Sequence, residues 1–238
     1  MGSQERQSLA PAAVDAIRSG DIDALKQALE TDRDLVRTTI DGQRTLLHVA
    51  TDWPGHFPNN SASVTELILS GADVNATFIG RHSETPLHWA ASTDDVAVLD
   101  ILLDHGADIE ARGGVVGGGT PLADAVAFGQ WRAARRLVER GARTMLWEAA
   151  ALGLMSRVTE FFVGVATPAQ DDVTNAFWCA CDGGQRETAE FLLAHGADLN
   201  WLGHDGLTPL DAASRSGAEG LVHWLRQQGA VSNPKCDE

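Results

Sequence analysis

Apolar positions along the 238-residue chain recur in two short phrases. The first pairs a Thr with a following Leu and Ala, and it stands at 45–50, 85–90, 120–125 and 208–213. The second follows a Leu-rich stretch with Gly-Ala-Asp, at 70–75, 105–110 and 195–200, and is degenerate at 140–143 and 228–230. Thr-Pro opens a helix because Pro at the first helical position needs no N–H, and Gly closes one in a left-handed cap. Each unit therefore predicts a helix, a turn, a second helix and a connecting finger.

The first phrase reads T-P-L-H-x-A, a pattern that resembles the ankyrin repeat, with a period near 33 residues. Weaker copies at 144–149 and 175–180, and a capping unit at 9–38, bring the number of units to about seven. The resemblance implies an all-α solenoid over residues 9–230, in which inner helices and fingers line a concave groove. Residues 1–8 are expected to be disordered or tag-derived, and 231–238 to form a tail.

The repeat spacing is irregular in three places. An insertion, 53–60, separates the two helices of one unit; the finger at 112–119 is enlarged and rich in Gly; and the finger before Trp147 is almost missing. Loops longer than a repeat requires are often functional. The irregular region 110–175 is also the expected weak point of an array whose stability is a sum over neighbours.

Two carboxylates occupy the helical position that should face the groove. This position, which follows the signature histidine, holds Asp124 and Glu148 in adjacent units, and a small or aliphatic residue is usual there in the family. Helices packed 8–10 Å apart would place the two acids about 5–9 Å apart, the range of paired-carboxylate catalysts. Alternatively, the two acids bond to backbone N–H groups or to Arg side chains between the repeats.

Other side chains are predicted to contact a ligand because they lie in the groove, the insertion or a finger. They are Trp53, His56, Phe57, His82, Trp89, Phe128, Leu152, Cys179, Asp182, Trp201 and His204. Trp147 and Trp178 replace signature histidines, and we interpret them as bulky core residues where the hydrogen bonds between fingers are lost.

Composition narrows the class of partner. Acidic residues number 33 against 18 basic ones, a formal net charge of −15, so nucleic acid and anionic membranes are poor partners. Three cysteines do not suggest a disulfide scaffold, and no apolar run approaches 18 residues. Without a secretion signal, a cytoplasmic monomer is expected. The glycines at 113–119 lack the Lys-Ser/Thr of a phosphate loop, and no cofactor or metal motif is found.

Two functions fit these patterns. The resemblance to ankyrin proteins implies protein recognition, here through an acidic, Trp-rich groove. The alternative is a cofactor-independent enzyme, a hydrolase, dehydratase, isomerase or cyclase, that acts on an apolar small molecule. In that case Asp124 and Glu148 would form the acid/base pair.

Overall fold

A computed structural model describes residues 3–163 and 167–234, with side chains from Leu9 onward. Within these residues the secondary structure is helical, without a strand, and the contacts divide the chain into two compact units. Unit 1, Met1–Ala142, contains α1 (Ser3–Ser19), α2 (Ile22–Thr31), α3 (Leu46–Thr51), α4 (Asn60–Leu69), α5 (Pro86–Ser92), α6 (Val96–Asp104), α7 (Pro121–Ala127) and α8 (Trp131–Glu139). Unit 2, Arg143–Glu238, contains α9 (Leu146–Ala151), α10 (Met155–Glu160), α11 (Gln170–Asp182), α12 (Arg186–Ala194), α13 (Pro209–Arg215) and α14 (Glu219–Gln227).

The helix starts follow the Thr-Pro pattern. Pro86, Pro121 and Pro209 are the first residues of α5, α7 and α13, each preceded by a Thr in an extended conformation. In α7 the hydroxyl of Thr120 accepts a hydrogen bond from the backbone N–H of Ala123. Because this bond satisfies a free N–H of the first turn, the signature residues determine where each inner helix begins.

Glycines end the outer helices as predicted. Gly106 and Gly196 directly follow the last turns of α6 and α12, with φ angles of +89° and +92°. A side chain is strained in this left-handed conformation, so Gly is the residue that reverses the chain at low cost. The predicted order of helix, turn, helix and finger is confirmed.

Each unit has its own apolar core. In unit 1 every inner helix packs on its outer partner and on the next inner helix, and the contacts bury side chains such as Leu47, Leu87, Leu99 and Leu122 completely or nearly so. In unit 2 α11 lies between α9, α12 and α13, and Phe177 at its centre is fully buried. Trp147 packs against this second core, as expected.

Histidines of the signature link neighbouring repeats in unit 1. His48 Nδ1 accepts the backbone N–H of Thr45, and its Nε2 lies 3.1 Å from the carbonyl oxygen of Glu84 in the following finger. Since a carbonyl only accepts, Nε2 carries the proton. His88 makes the equivalent bond to the carbonyl oxygen of Gly119, at 3.3 Å. Burial lowers the pKa of both imidazoles, which keeps them neutral in this role.

Trp178 makes the same link in unit 2. Its indole N–H donates to the carbonyl oxygen of Leu207 at 2.9 Å, and Leu207 directly precedes the helix-capping Thr208. Glu84 and Gly119 hold the same place before Thr85 and Thr120. The interpretation that the link between fingers is lost at Trp178 is therefore wrong, because an indole N–H can replace the imidazole Nε2–H as the donor.

The two ends of the chain and the boundary between the units can be compared with the predictions. The first helix begins at Ser3, within the stretch 1–8 predicted to be disordered or tag-derived, and Met1 and Gly2 lie outside the described residues. Of the tail 231–238, the N–H of Val231 donates to Asn200, and 235–238 lie outside the described residues. The unit boundary at Ala142 falls inside the irregular region 110–175. One continuous array over 9–230 stays a prediction.

No helix among the described residues is both long and apolar enough to cross a lipid bilayer.

Candidate functional site

Two carboxyl groups meet inside unit 1. Asp124 lies in the first turn of α7, and Glu84 ends the preceding finger, directly before the helix-capping Thr85. The structure buries both, with 0% of Asp124 and 5% of Glu84 exposed. The two carboxyl groups repel each other when both are charged, and they can form a hydrogen bond when one of them holds a proton.

The Glu84 side chain is fixed by three further groups. Its Oε2 accepts the indole N–H of Trp89 at 2.8 Å and lies 2.8 Å from Nδ1 of His82, an ion-pair distance at which the angle does not suit a regular hydrogen bond. Its Oε1 accepts the backbone N–H of Val115 at 3.3 Å. The carboxyl group of Glu84 therefore connects its own finger, α5 and the enlarged finger that follows.

The enlarged finger closes over the acid pair. The backbone N–H of Val116 donates to Asp124 Oδ1 at 3.3 Å, beside the bond from Val115 to Glu84. A Cβ at Gly114 would lie 2.7 Å from Asp124 Oδ2, so only a glycine allows the backbone to come this close. The buried carboxyl groups thus anchor residues 113–116 through the backbone N–H groups of Val115 and Val116.

The environment raises the pKa of Asp124 to about 7. Burial is the largest cause, and the charge of neighbouring Glu84 is the next. The N–H groups of Val116 and Val115 act in the opposite direction because they stabilise the ionised form. A carboxyl group with this pKa exchanges a proton near neutral pH, which is the property required of an acid/base group.

A cavity of about 410 Å³ lies above the pair, with Glu84 in its wall. Four residues predicted as ligand contacts line it, namely Trp53, His82, Trp89 and Phe128. Trp53 is 77% exposed and Phe128 50%, whereas Glu84 is 5% exposed, so the cavity combines exposed apolar side chains with a buried carboxyl group. The remaining lining residues are Thr51, Asp52, Glu84, Ser92, Thr93, Val115 and Gln130.

Sequence reasoning missed Glu84. Glu84 lies in a finger and not on an inner helix, and its nearness to Asp124 depends on how two consecutive repeats stack. A usable signal was present nevertheless: a carboxylate stands two residues after His82, which was already a candidate, and directly before the helix-opening Thr85.

Asp52, which lines the cavity, and Asp182, which was predicted as a ligand contact, have cationic partners. Arg44 lies 2.7 Å from Asp52 in unit 1, and Arg215 lies 2.9 Å from Asp182 in unit 2. The pKa of each of these arginines is raised, mainly by a hydrogen bond from the guanidinium to another carboxylate, Asp41 for Arg44 and Asp205 for Arg215. Part of the expected acidic character of the groove is thus compensated locally.

Glu148 belongs to unit 2 and is also buried, with 2% exposed. Its Oε2 accepts the backbone N–H of Met145 at 2.7 Å, where it caps the start of α9. This is the backbone role considered as the alternative to catalysis. The same unit buries Leu152 and Cys179, and burial raises the pKa of the Cys179 thiol to about 12.

The remaining predicted ligand contacts lie elsewhere. His56 and Phe57 line a separate cavity of about 420 Å³, where His56 Nε2 lies 2.9 Å from the carbonyl oxygen of Thr93. In unit 2 the ring of His204 stands edge-on to Trp178 and Trp201, with centroids 5.0 and 5.9 Å away. Within the described part of the chain, no three His, Cys, Asp or Glu residues form a group that could hold a metal ion.

Comparison with known proteins identifies the class. A model of ankyrin repeats matches residues 56–146 and again 146–236. Together these ranges cover more than half of the chain, so the chain belongs to the ankyrin-repeat family. Ankyrin repeats generally mediate protein–protein interaction.

Individual relatives agree with the family. An ankyrin repeat and KH domain-containing protein of Caenorhabditis briggsae is 32% identical over 76% of this chain, and the RelA-associated inhibitor of Mus musculus is 37% identical over 41%. The matches span only 7% and 11% of those two proteins. The human ASB11 ankyrin repeat domain superposes with a TM-score of 0.55 at 22% identity, covering 90% of this chain and 96% of the domain, which shows the shared fold.

Proposed function

We propose that this chain is a protein-recognition module and that a partner segment binds at the pocket of unit 1. The observation that carries the proposal is a cavity that has exposed apolar side chains and a buried carboxyl group in its lining. Trp53, Val115 and Phe128 are 77%, 52% and 50% exposed around a cavity whose wall contains the buried Glu84. Clustered apolar side chains on a surface mark interaction sites, because their burial against a partner is favourable.

Relatives support a binding role. The mouse protein that shares 37% identity over 98 residues is named for its association with RelA. Ankyrin arrays present fingers and inner helices as a continuous surface, and here the insertion after α3 and the enlarged finger both contribute to the pocket through Trp53 and Val115. A partner segment bound at the pocket would cover these side chains.

Selection from a peptide-display library tests the proposal. Immobilised full-length protein is expected to enrich a common motif, and the double variant Trp53→Ala, Phe128→Ala should bind the selected peptides at least about tenfold more weakly. The matched control is Leu69→Ala, since Leu69 is 73% exposed in the same unit but does not line the pocket. Equal loss in the control and the double variant, or no enrichment at all, would contradict a binding site at this pocket.

We propose an enzyme as the second candidate, for one specific reason. Asp124, whose pKa is about 7, adjoins Glu84, and Glu84 lines a cavity with apolar walls. Such a pair holds one proton at neutral pH, so it could protonate a substrate and take the proton back without a cofactor. Hydrolysis, dehydration, isomerisation or cyclisation of an apolar molecule would fit. The pairing of Asp124 with Glu148 stays a prediction.

Two isosteric variants separate these assignments. The protein is incubated with a panel of apolar esters, alcohols and ketones, and products that differ by one water or are isomeric are sought by mass spectrometry. Glu84→Gln should abolish turnover if the pocket is catalytic, whereas Glu148→Gln should retain it. If Glu148→Gln loses turnover and Glu84→Gln retains it, the result would instead favour the pairing of Asp124 with Glu148. A wild-type protein without turnover counts against the enzyme.

We also propose that the module acts as a monomer in the cytoplasm. Cys179 and Cys181 are free, buried thiols, and burial raises the pKa of both, which suits a reducing compartment. Light scattering of the purified protein should give a mass near 25.3 kDa. A dimer mass at micromolar concentration would show that this part of the proposal is wrong.

A further inference from the structure

We propose that the pocket of unit 1 takes a cationic nitrogen on an aliphatic stem, as in an Arg or Lys side chain of the partner segment. The inference rests on the proposed binding function and names the chemistry that the pocket selects. The pocket has three features that favour such a ligand: acids in and behind its lining, apolar side chains in its lining, and a buried carboxyl oxygen of Asp124.

Charge is the first argument. The cavity is lined by two acids, Asp52 and Glu84, with Asp124 directly behind, and among the described lining residues there is neither Lys nor Arg. Arg44 compensates Asp52 from outside the lining, at 2.7 Å. For Glu84 the adjacent group that can carry a positive charge is His82, at 2.8 Å. The Glu84–Asp124 pair therefore lacks a permanent cation, and a ligand cation would relieve its repulsion.

The walls supply the second argument. Four apolar side chains, Trp53, Trp89, Val115 and Phe128, line the cavity, and such side chains suit the methylene groups of an Arg or Lys stem. Aromatic rings also attract cations through their negative faces. An uncharged apolar ligand would use these walls but would leave the Glu84 carboxyl group desolvated and uncompensated, which costs free energy.

A buried oxygen of Asp124 also favours a cationic ligand. Asp124 is fully buried, its Oδ2 makes no regular hydrogen bond with an N–H or hydroxyl group of the described residues, and its hydrogen bond with Glu84 requires a proton on one of the two acids. An atom in this state is costly unless the carboxyl group holds a proton or a positive charge lies nearby. A cation at the pocket would favour the ionised form of Asp124, so the proton would leave as the ligand binds.

The pH dependence has a definite sign. Asp124 gains charge as the pH rises through about 7, and the cation should then bind more tightly. The other ionisable groups at this site are His82 and Asp52, which line the cavity, and Arg44, which contacts Asp52. His48 and His88 face the same region and are neutral, because burial lowers their pKa.

The test uses NMR spectroscopy of the full chain labelled with ¹⁵N. Two probes are titrated separately, Nα-acetylarginine methylamide and its neutral isostere, Nα-acetylcitrulline methylamide. The indole N–H of Trp89 reports the site because it donates to Glu84. We expect a saturable shift of this resonance with the arginine probe, an affinity at least about tenfold lower for citrulline, and tighter arginine binding at pH 8 than at pH 6. Equal affinities, or no saturable shift with arginine, would overturn the proposal.

Variants connect the effect to the acid pair. Glu84→Gln should remove the preference for arginine, whereas Glu139→Gln, at an exposed acid on α8, should keep it. If Glu84→Gln does not fold, the carboxyl ¹³C titration of Asp124 in the wild-type protein replaces it. Its midpoint should fall with arginine and stay unchanged with citrulline, and the opposite result refutes the inference. Peptides that bind through Trp53 and Phe128 without a basic residue would leave the proposed function standing while this inference fails.

Discussion

Single residues decide most of the chemistry of this chain. Glu84 is held by an indole N–H, a backbone N–H and an imidazole, and its own carbonyl oxygen accepts from His48. Four predicted aromatic or imidazole contacts, Trp53, His82, Trp89 and Phe128, line one cavity with it. Residue types and repeat positions made those four predictable. Glu84 was not, because the direction of a finger side chain depends on the neighbouring repeat.

Replacing Asp124 should change how stability depends on pH. The unfolded chain loses the Asp124 proton above about 4, whereas the folded protein keeps it to about 7. The free energy of unfolding should therefore fall as the pH rises across this interval, by a few kcal/mol at most. In Asp124→Asn that part of the decrease should be absent.

Urea denaturation at several pH values between 4 and 8 measures how the free energy of unfolding changes with pH. The control is Asp104→Asn, at an exposed carboxylate on α6 in the same unit. A slope in Asp124→Asn equal to that of the wild-type protein would mean that Asp124 ionises normally in the folded state.

Trp178 allows a test of the link between repeats. In Trp178→Phe the ring is largely kept but the N–H that reaches the carbonyl oxygen of Leu207 is lost. We expect a loss of about 0.5–1.5 kcal/mol in the free energy of unfolding of unit 2, because the partly buried carbonyl oxygen of Leu207 then accepts only the backbone N–H of Gly203. Trp147→Phe is the matched change at the equivalent position of the preceding repeat. If chemical denaturation shows equal losses in both, the hydrogen bond contributes nothing specific.

At the scale of elements, the enlarged finger is the feature that departs furthest from a regular repeat. Its residues 113–116 are anchored on the acid pair through two backbone N–H groups, so finger and pocket form together. The sequence predicted that this finger matters, from its length alone. Its path could not be predicted, because glycines permit many backbone conformations and the buried carboxyl groups select one.

Gly114→Ala should disrupt this element. The added methyl group would lie within 2.8 Å of both Asp124 oxygens, so the finger must move away and release both hydrogen bonds. We expect a drop of several degrees in the melting temperature and loss of binding at the pocket. Gly117→Ala is the control, because it has a positive φ of +60° but no neighbour within 4 Å, and it should cost only about 1 kcal/mol. Equal effects of the two substitutions on binding would contradict the anchoring.

At the scale of the whole molecule, each of the two compact units has its own apolar core. We therefore expect a core substitution to destabilise mainly the unit that contains it. In a solenoid each repeat contacts its neighbours, so damage should remain near its origin. Leu102→Ala removes a fully buried side chain from α6 in unit 1, and Leu192→Ala does the same in α12 of unit 2. Each should cost about 2–5 kcal/mol.

Hydrogen exchange measured by mass spectrometry locates the damage. Leu102→Ala should speed exchange mainly within 1–142, and Leu192→Ala mainly within 143–238. Uniform acceleration across the chain in either variant would show that the two units unfold as one, against the prediction.

The sequence by itself determined the repeats, the helix starts at Thr-Pro and the helix ends at Gly, because caps and left-handed turns depend on residues within one turn of each other. Resemblance to the ankyrin family followed from the same local phrases. Only the tertiary structure decided that Asp124 meets Glu84, that Trp178 replaces a histidine, and that a glycine finger closes over the pair. These contacts join residues about 30–40 positions apart, and the stacking of one repeat on the next brings them together.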